Sequence, residues 1–301
     1  MQPSKFITFE EELKNNPELK ESDIQMLREW NAKQPHLPKI SDTDLALFLH
    51  SNYYLMEAAK SAIDAYYTVR THVPEFFSNR DIWTTKELQK AANVGAATAL
   101  QGTTKEGYKI IFWKLLDLEP SHFVHNDIVK YYCMVLDLWL QTDGTKTGHI
   151  ILVDMQGVSL GHVGRLSPMT TKKFLYYLQD ALPVRLKGLH FMNSVPAMDL
   201  ILAMMKPFMK KELLDILHIH TTKDTLKKFI PLEILPNEAG GNAGALNDYH
   251  QARKKDLEDY RDWFAQDEAN NRVKESLRPG KAKNVTDIFG VEGSFKKLDI
   301  D

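Results

Sequence analysis

At 301 residues, with 43% hydrophobic and 26% charged positions, the chain has globular composition and length for one large core or two modest ones, which excludes a fibrous or largely disordered protein. A formal charge of -2 gives no general pull towards nucleic acid, and the single cysteine, Cys133, excludes an internal disulfide and fits a reducing cytoplasmic compartment. The amino terminus lacks the pattern of a secretory signal, and apolar runs such as "YYCMVLDLWL" and "AMDLILAMMKPFM" fall short of the ~20 residues that span a bilayer. The expectation is therefore a cytoplasmic monomer that touches membranes only transiently.

Residues 1–85 read as a small helical module. Apolar positions recur at spacings of three and four in Ile24, Leu27 and Trp30 and again in Leu45, Phe48 and Leu49, with Ser22-Asp23 and Ser41-Asp42 as expected caps. A third helix, "LMEAAKSAIDAYYTVRTHVPEFF", follows a turn near Asn52 and is stopped by Pro74. Over residues 86–245, β-rich runs ("YKIIFWKL", "GHIILVDM", "GLHFMN", "ILHIH") alternate with helical ones ("NDIVKYYCMVLDLWLQ", "SPMTTKKFLYYLQDAL" and an apolar stretch after Pro196). That alternation predicts an α/β fold with a mostly parallel sheet flanked by helices. Residues 246–301 follow the turn-rich "LPNEAGGNAG" as one charged amphipathic helix, "YHQARKKDLEDYRDWFAQDE", and a polar tail in which Phe289 and Phe295 are expected docking points. Cys133 lies inside an apolar helical run and is expected to be a buried, inert thiol.

Gly157-Val158-Ser159-Leu160-Gly161 matches the G-x-S-x-G elbow of serine hydrolases. An elbow needs a helix immediately behind the serine, and the expected helix start is Ser167 with Pro168 at its first position, so Ser159 reads as a loop residue and no catalytic residue is assigned. Gly240, Gly241 and Gly244 follow a loop rather than a strand and read as turn glycines, and no phosphate-cradling loop is present. His218 and His220 share a strand face, as two metal ligands could, but no further ligand stands at a recognisable spacing, so no metal is expected.

"IILVDMQGVSLGH" resembles the D-x-x-G-x-S-x-x-H strand and loop of the CRAL-TRIO lipid-binding family. It is followed by "LPVRLKGLHFMNSVPAMDLILAMMKPFM", similar to the family's P-x-[KR]-x-[KR]-G-x-H-x-x-N-x-P segment and K-P-F helix, and by "LPNEAGG", similar to its L-P-x-E-[YL]-G-G. The N-terminal helices resemble the family's small helical module, and the tail "FGVEGSFKKLDID" resembles that of arthropod tocopherol-transfer-like members. The resemblance implies a CRAL-TRIO fold enclosing an apolar pocket, a bound hydrophobic lipid in place of any cofactor, no enzymatic activity, and a mobile lid helix.

The residues themselves supply walls for a pocket. Ile128, Tyr131, Val135 and Leu138 share a helix face, while His149, Ile151 and Val153 share a strand face. Phe174, Tyr177 and Leu178 add a second helix, Val184, Leu186 and Leu189 a second strand, and Val158, Leu166 and Leu182 the connecting turns. Tyr131, His149 and Tyr177 are the expected polar contacts to a ligand hydroxyl or carbonyl. The stretch 197–209 is apolar on nearly every side, and its Met198, Ile201, Leu202, Met205 and Phe208 are the expected lid residues. By resemblance, Arg185 and Lys187 match two bases of the family's phosphoinositide cluster, whose other two fall on Glu212 and Ile216. Lys210 and Lys211 are neighbours but point elsewhere around the helix, and "FLHSN" has His50 and Asn52 where the family has arginines, so strong phosphoinositide selectivity is not expected. The expected function is binding and intermembrane transfer of a tocopherol, retinoid or similar lipid. The rival readings are a lipid-regulated membrane or signalling adaptor and a hydrolase using Ser159.

Overall fold

The computed structural model describes residues 5–290; Phe295 and the end of the tail lie outside them. Five short helices open the chain: α1 (Phe9–Asn15), α2 (Glu21–Ala32), α3 (Asp42–Ser51), α4 (Met56–His72) and α5 (Pro74–Phe77). Ser41 caps α3 by accepting from the Asp44 amide at 3.1 Å, as expected. Ser22 does not cap α2, whose N-cap is Lys20. Pro74 ends α4 and sits at the first turn of α5, where its missing N–H costs nothing. α1 was not legible; its Thr8–Glu11 capping box starts it, and its buried Glu12 accepts from the Thr145 amide at 2.8 Å.

Helix α6 (Lys86–Val94) leads into the sheet: β1 (Gly95–Thr103), β2 (Lys109–Leu115), α7 (His125–Asp143), β3 (His149–Asp154), a one-turn α8 (Leu160–Val163), α9 (Pro168–Tyr176), β4 (Leu186–Met192), α10 (Met198–Met205), α11 (Lys211–Asp215), β5 (Leu217–Ile219) and α12 (Lys223–Leu226). The strands lie in chain order; β1 is antiparallel to β2, and β2 through β5 are parallel. Parallel neighbours require a crossing connection, and helices supply it: α7 links β2 to β3, α9 links β3 to β4, and α10 with α11 links β4 to β5. One face of the sheet packs against α7, α9 and α10, and the other against residues 226–246.

The ends of the parallel strands are tied by Asp154. Its buried carboxylate accepts from Lys114 Nζ at 2.7 Å, Asn193 Nδ2 at 2.8 Å and the Gln156 amide at 3.0 Å, so the Asp and Asn of the two sequence motifs are one structural knot. The expected single C-terminal helix is two, α13 (Leu246–Asp259) and α14 (Arg261–Asn270), broken at Tyr260, whose ring stacks on Phe6 at 4.6 Å. Phe289 on α15 (Val285–Phe289) is buried edge-on against Tyr176.

Candidate functional site

The C-terminal halves of β2, β3 and β4 form the floor of a cavity of about 210 Å³, with the first turns of α7, helix α9 and the inner side of α10 as its walls. Alternation fixes the floor: Trp113 and Leu115, Ile151, Val153 and Met155, Leu189 and Phe191 all rise from one side of their strands, with Trp113 paired to Val153 and Val153 to Phe191. Ile128, Val129 and Tyr132 come from α7, Phe174, Leu175 and Leu178 from α9 and the turn after it, and Ile201, Met204 and Met205 from α10. Val158, Val163 and Leu166 close the side at α8.

Of the expected lining residues, Ile128, Ile151, Val153, Val158, Leu166, Phe174, Leu178 and Leu189 meet at this cavity, with Ile201 and Met205 of the expected lid. Tyr131, Val135, Leu138, His149, Tyr177, Leu182, Val184 and Leu186 do not reach it. Helix α7 is buried along almost its whole length, so periodicity alone cannot say which face lines the cavity; the face is Ile128, Val129 and Tyr132 rather than Ile128, Tyr131 and Val135. His149 stands on the correct side of β3 but at its opening residue, packed edge-on to Trp139 at 5.0 Å. Tyr177 is fully buried and donates to Asp137 Oδ1 at 3.4 Å. The polar groups at the cavity are instead Trp113, His125, Tyr132, His162 and Thr171. Residue spacing offered one signal for the missed floor residues, the i, i+2 step from Ile111 through Trp113 to Leu115 on a strand next to β3.

Ser159 requires a correction. A helix does begin immediately behind it, α8 at Leu160, and Ser159 Oγ lies 2.9 Å from His162 Nδ1. The arrangement is a helix cap. His162 is the third residue of α8, and its Nδ1 also accepts the Ser159 backbone amide at 3.1 Å. Ser159 has extended, unstrained backbone (φ -125°, ψ 171°) instead of the strained tip of an elbow, and His162 Nε2 is buried with no partner where a triad would place a carboxylate.

The four basic residues considered for headgroup binding are all engaged. Arg185 donates to the His50 carbonyl at 2.8 Å and lies over the Tyr53 and Tyr54 rings at 4.4 and 5.6 Å, while Lys187 Nζ donates to Tyr53 Oη at 2.6 Å. Lys210 pairs with Asp180 and Lys211 with Asp215. Tyr53 and Tyr54 reach Arg185 through left-handed backbone (φ 53° and 62°), a bend no propensity scale shows. Phosphatidylinositol bisphosphate vesicles are therefore expected to bind the chain no better than phosphatidylserine vesicles of equal charge, and Arg185→Ala to lower both alike in co-sedimentation; a selective loss for the inositol lipid would show that Arg185 leaves Tyr53 to meet it.

His218 and His220 gather with His190: His190 Nδ1 and His220 Nε2 are 2.9 Å apart, and the His190 and His218 rings lie 4.6 Å apart. Burial first, then the neighbouring imidazoles, push His190 down to about 3. Among the described residues no group of three His, Cys, Asp or Glu is placed to hold a metal ion, and no helix is long and apolar enough to cross a membrane.

Comparison with known proteins bears on the same segments. A family model described as the CRAL/TRIO domain matches residues 93–241, and one described as Pinta-like, UBA domain matches residues 16–86. The chain is 30% identical over 241 residues to the alpha-tocopherol transfer protein-like protein of Mus musculus, covering 79% of this chain and 69% of that one. It is 24% identical over 234 residues to clavesin-1 of Mus musculus, covering 76% and 66%. Among solved structures it is similar to the crystal structure of Sfh5, with a TM-score of 0.50 and 17% identity over 80% of this chain and 90% of that one, a likeness of fold.

Proposed function

We propose that this chain, which belongs to the CRAL-TRIO family, carries one hydrophobic lipid in the cavity beneath α10 and exchanges it at membranes when α10 moves aside. The observation that carries this reading is the cavity itself, walled by aliphatic and aromatic side chains from three strands and four helices. The mouse relative's name speaks of transfer and not of catalysis, in keeping with a Ser159 that serves as a cap. Burying ~400 Å² of a lipid at about 25 cal/mol per Å² is worth on the order of 10 kcal/mol before ordering costs, enough for retention without charge pairing.

Filling the cavity tests the proposal. Leu178→Trp adds an indole where Leu178 meets the lumen, and is expected to cut the lipid recovered by solvent extraction and mass spectrometry at least tenfold, with helix content unchanged. Equal recovery from variant and parent, or no lipid taken from vesicles by either, would rule the cavity out as the carrier site.

A further inference from the structure

Three imidazoles stand together where the α10–α11 segment returns to the sheet, on the face turned away from the cavity. Strand parity puts them there. Leu189 and Phe191 of β4 line the cavity, so His190 between them points to the opposite side, with His218 of β5 as its neighbour in register. Gly188 makes room, since a side chain at that position would run into the His190 ring. His220 follows on β5 and stacks on His190 at 5.1 Å, and the Phe229 ring closes the group at 4.3 Å from His218.

Hydrogen bonds fix which nitrogens carry protons. Thr225 Oγ1 donates to the Thr222 carbonyl at 2.8 Å, so towards His220 Nδ1, 3.1 Å away, it is the acceptor. His220 Nδ1 therefore carries the proton, and its Nε2 accepts from His190 Nδ1 at 2.9 Å. The pair has one open nitrogen, His190 Nε2, so one added proton leaves a cation on rings that are 1% and 3% exposed, and a second breaks the bond between them. Among the described residues no counter-charge meets these rings; the charges that act on them are their own. Strand β3 presents Ile150 and Leu152, and residues 222–230 present Thr225, Leu226 and Phe229. Lys187 of β4 is turned to Tyr53, while Lys223, Asp224, Lys227 and Lys228 are exposed, with Asp224 paired to Lys227 at 2.6 Å.

Strand β5 is the edge of the sheet and three residues long, and it anchors the far end of the segment that starts after β4 and carries α10 and α11. The Leu189 amide on the Ile216 carbonyl at 2.9 Å and the His220 amide on the Phe191 carbonyl at 2.8 Å help to seat it. Burial lowers His218 and His220 as it lowers His190. A depressed histidine contributes its stability in full above the unfolded value near 6.5 and loses it as pH falls below that, so acid works against a seated β5. Between about pH 7.5 and pH 5.5 the population with the rings in water rises about tenfold for each proton taken up. We propose, on the carrier reading above, that His190, His218 and His220 form an acid-sensitive catch: proton uptake unseats β5, frees the α10–α11 segment and speeds release of the lipid.

The test times the release of a nitrobenzoxadiazole-labelled tocopherol from preloaded full-length protein to phosphatidylcholine vesicles, whose charge is constant between about pH 7.5 and pH 5.5. Hydrogen exchange of peptides covering β5, corrected for the intrinsic rate, is followed at the same two pH values. The parent is expected to release about tenfold faster at the lower pH and to lose protection at β5 by a similar factor. Acid also reaches His50, His125, His149, His162 and His250, which burial holds low, so variants are needed to assign the effect. His190→Asn/His220→Gln puts amides where the two bonded nitrogens stood, and should match the parent at the higher pH and change less than about threefold in acid. If that double variant fails to fold, His218→Gln, at a half-buried ring outside the His190–His220 bond, should fold and cut the acid response to about threefold. Equal release by the parent at both pH values, an acid response that the variants keep in full, or β5 exchange unchanged by acid overturns the catch and leaves the carrier reading standing. Failure to take up the probe, together with no lipid taken from vesicles at either pH, sinks the carrier reading and the catch with it.

Discussion

Asp137→Ala is expected to lower the free energy of unfolding by about 3–5 kcal/mol, the cost of stranding a buried charge. Asp137 on α7 and Asp267 on α14 face Arg70 of α4 and Arg80 of the loop after α5, with Arg70 at 2.8 and 2.7 Å from the two carboxylates and Arg80 at 2.7 Å from Asp137. All four side chains are 0–6% exposed, so water cannot stand in for a missing partner. Arg272 Nη1 also lies 3.5 Å from Asp267, so two carboxylates face three guanidinium groups; with Asp137 gone, a larger net positive charge is left beside the rings of Tyr66, Phe77 and Phe264, which lie 4.7–5.1 Å from the guanidinium carbons of Arg70 and Arg80. Burial pushes the Asp267 carboxyl up, but the charges of Arg70 and Arg80 outweigh it and hold it well below the usual carboxylate range. A depressed carboxyl contributes its stability in full above the unfolded value near 4 and loses it as pH falls below that, so the loss in Asp137→Ala should be read at neutral pH. Urea denaturation followed by far-ultraviolet dichroism measures it; a change below about 1 kcal/mol would mean that Asp267 alone balances both arginines.

This network also shows where sequence reading stops. Arg70, Arg80, Asp137 and Asp267 are scattered over almost 200 positions, and nothing in local pattern distinguishes them from solvated charges. Elements with a period were legible: α3, α4, α7, α9 and the strands β2 to β5 lie close to where apolar spacing puts them. Strand β1, "GAATALQGT", was missed because alanine-rich sequence favours helix; pairing with β2 overrides that preference, and small residues suit the close packing, since a Cβ on Gly95 would sit 3.0 Å from the Trp113 indole nitrogen. At the site, strand parity placed Ile151 and Val153 in the cavity because only one side of β3 faces α7 and α9. Helix α7 gave no such help, and the step from Tyr131 to Tyr132 rotates the side chain by about 100° out of the core into the cavity. His125 and His162, at the cavity wall, carried no signal because it is the main-chain amides of Ser167 and Ser159 that hold their rings there.

A single charge on the outer side of α10 should slow transfer between vesicles about tenfold or more while leaving equilibrium loading unchanged. Leu200 is 54% exposed, far more than an apolar side chain on a helix of this kind needs to be, and Ala203 and Pro207 are exposed on the same side. Insertion of a leucine of this size into lipid is worth about 1.5–3 kcal/mol, and Leu200→Asp removes that and adds a charge that resists the bilayer. Ile201, one position further on, is 7% exposed and lines the cavity with Met204 and Met205. Ile201→Asp puts an unpaired carboxylate against the ligand and should empty the cavity, at a cost of several kcal/mol. The expected lid residues Met198, Leu202 and Phe208 are placed otherwise: Met198 is buried, Leu202 is half-buried, and Phe208 is half-buried with Lys172 Nζ 5.7 Å from its ring. Gln179 fastens the far end of this segment, donating to the Phe208 carbonyl at 3.0 Å and accepting from the Lys210 amide at 2.6 Å, so Gln179→Ala should speed transfer if opening is limiting. Transfer rate and extracted lipid, measured together on Leu200→Asp, Ile201→Asp and Gln179→Ala, then separate gate from wall. A gate gives slow transfer with full loading for the first, an empty cavity for the second and fast transfer for the third, whereas a fixed wall leaves the first and third indistinguishable from the parent.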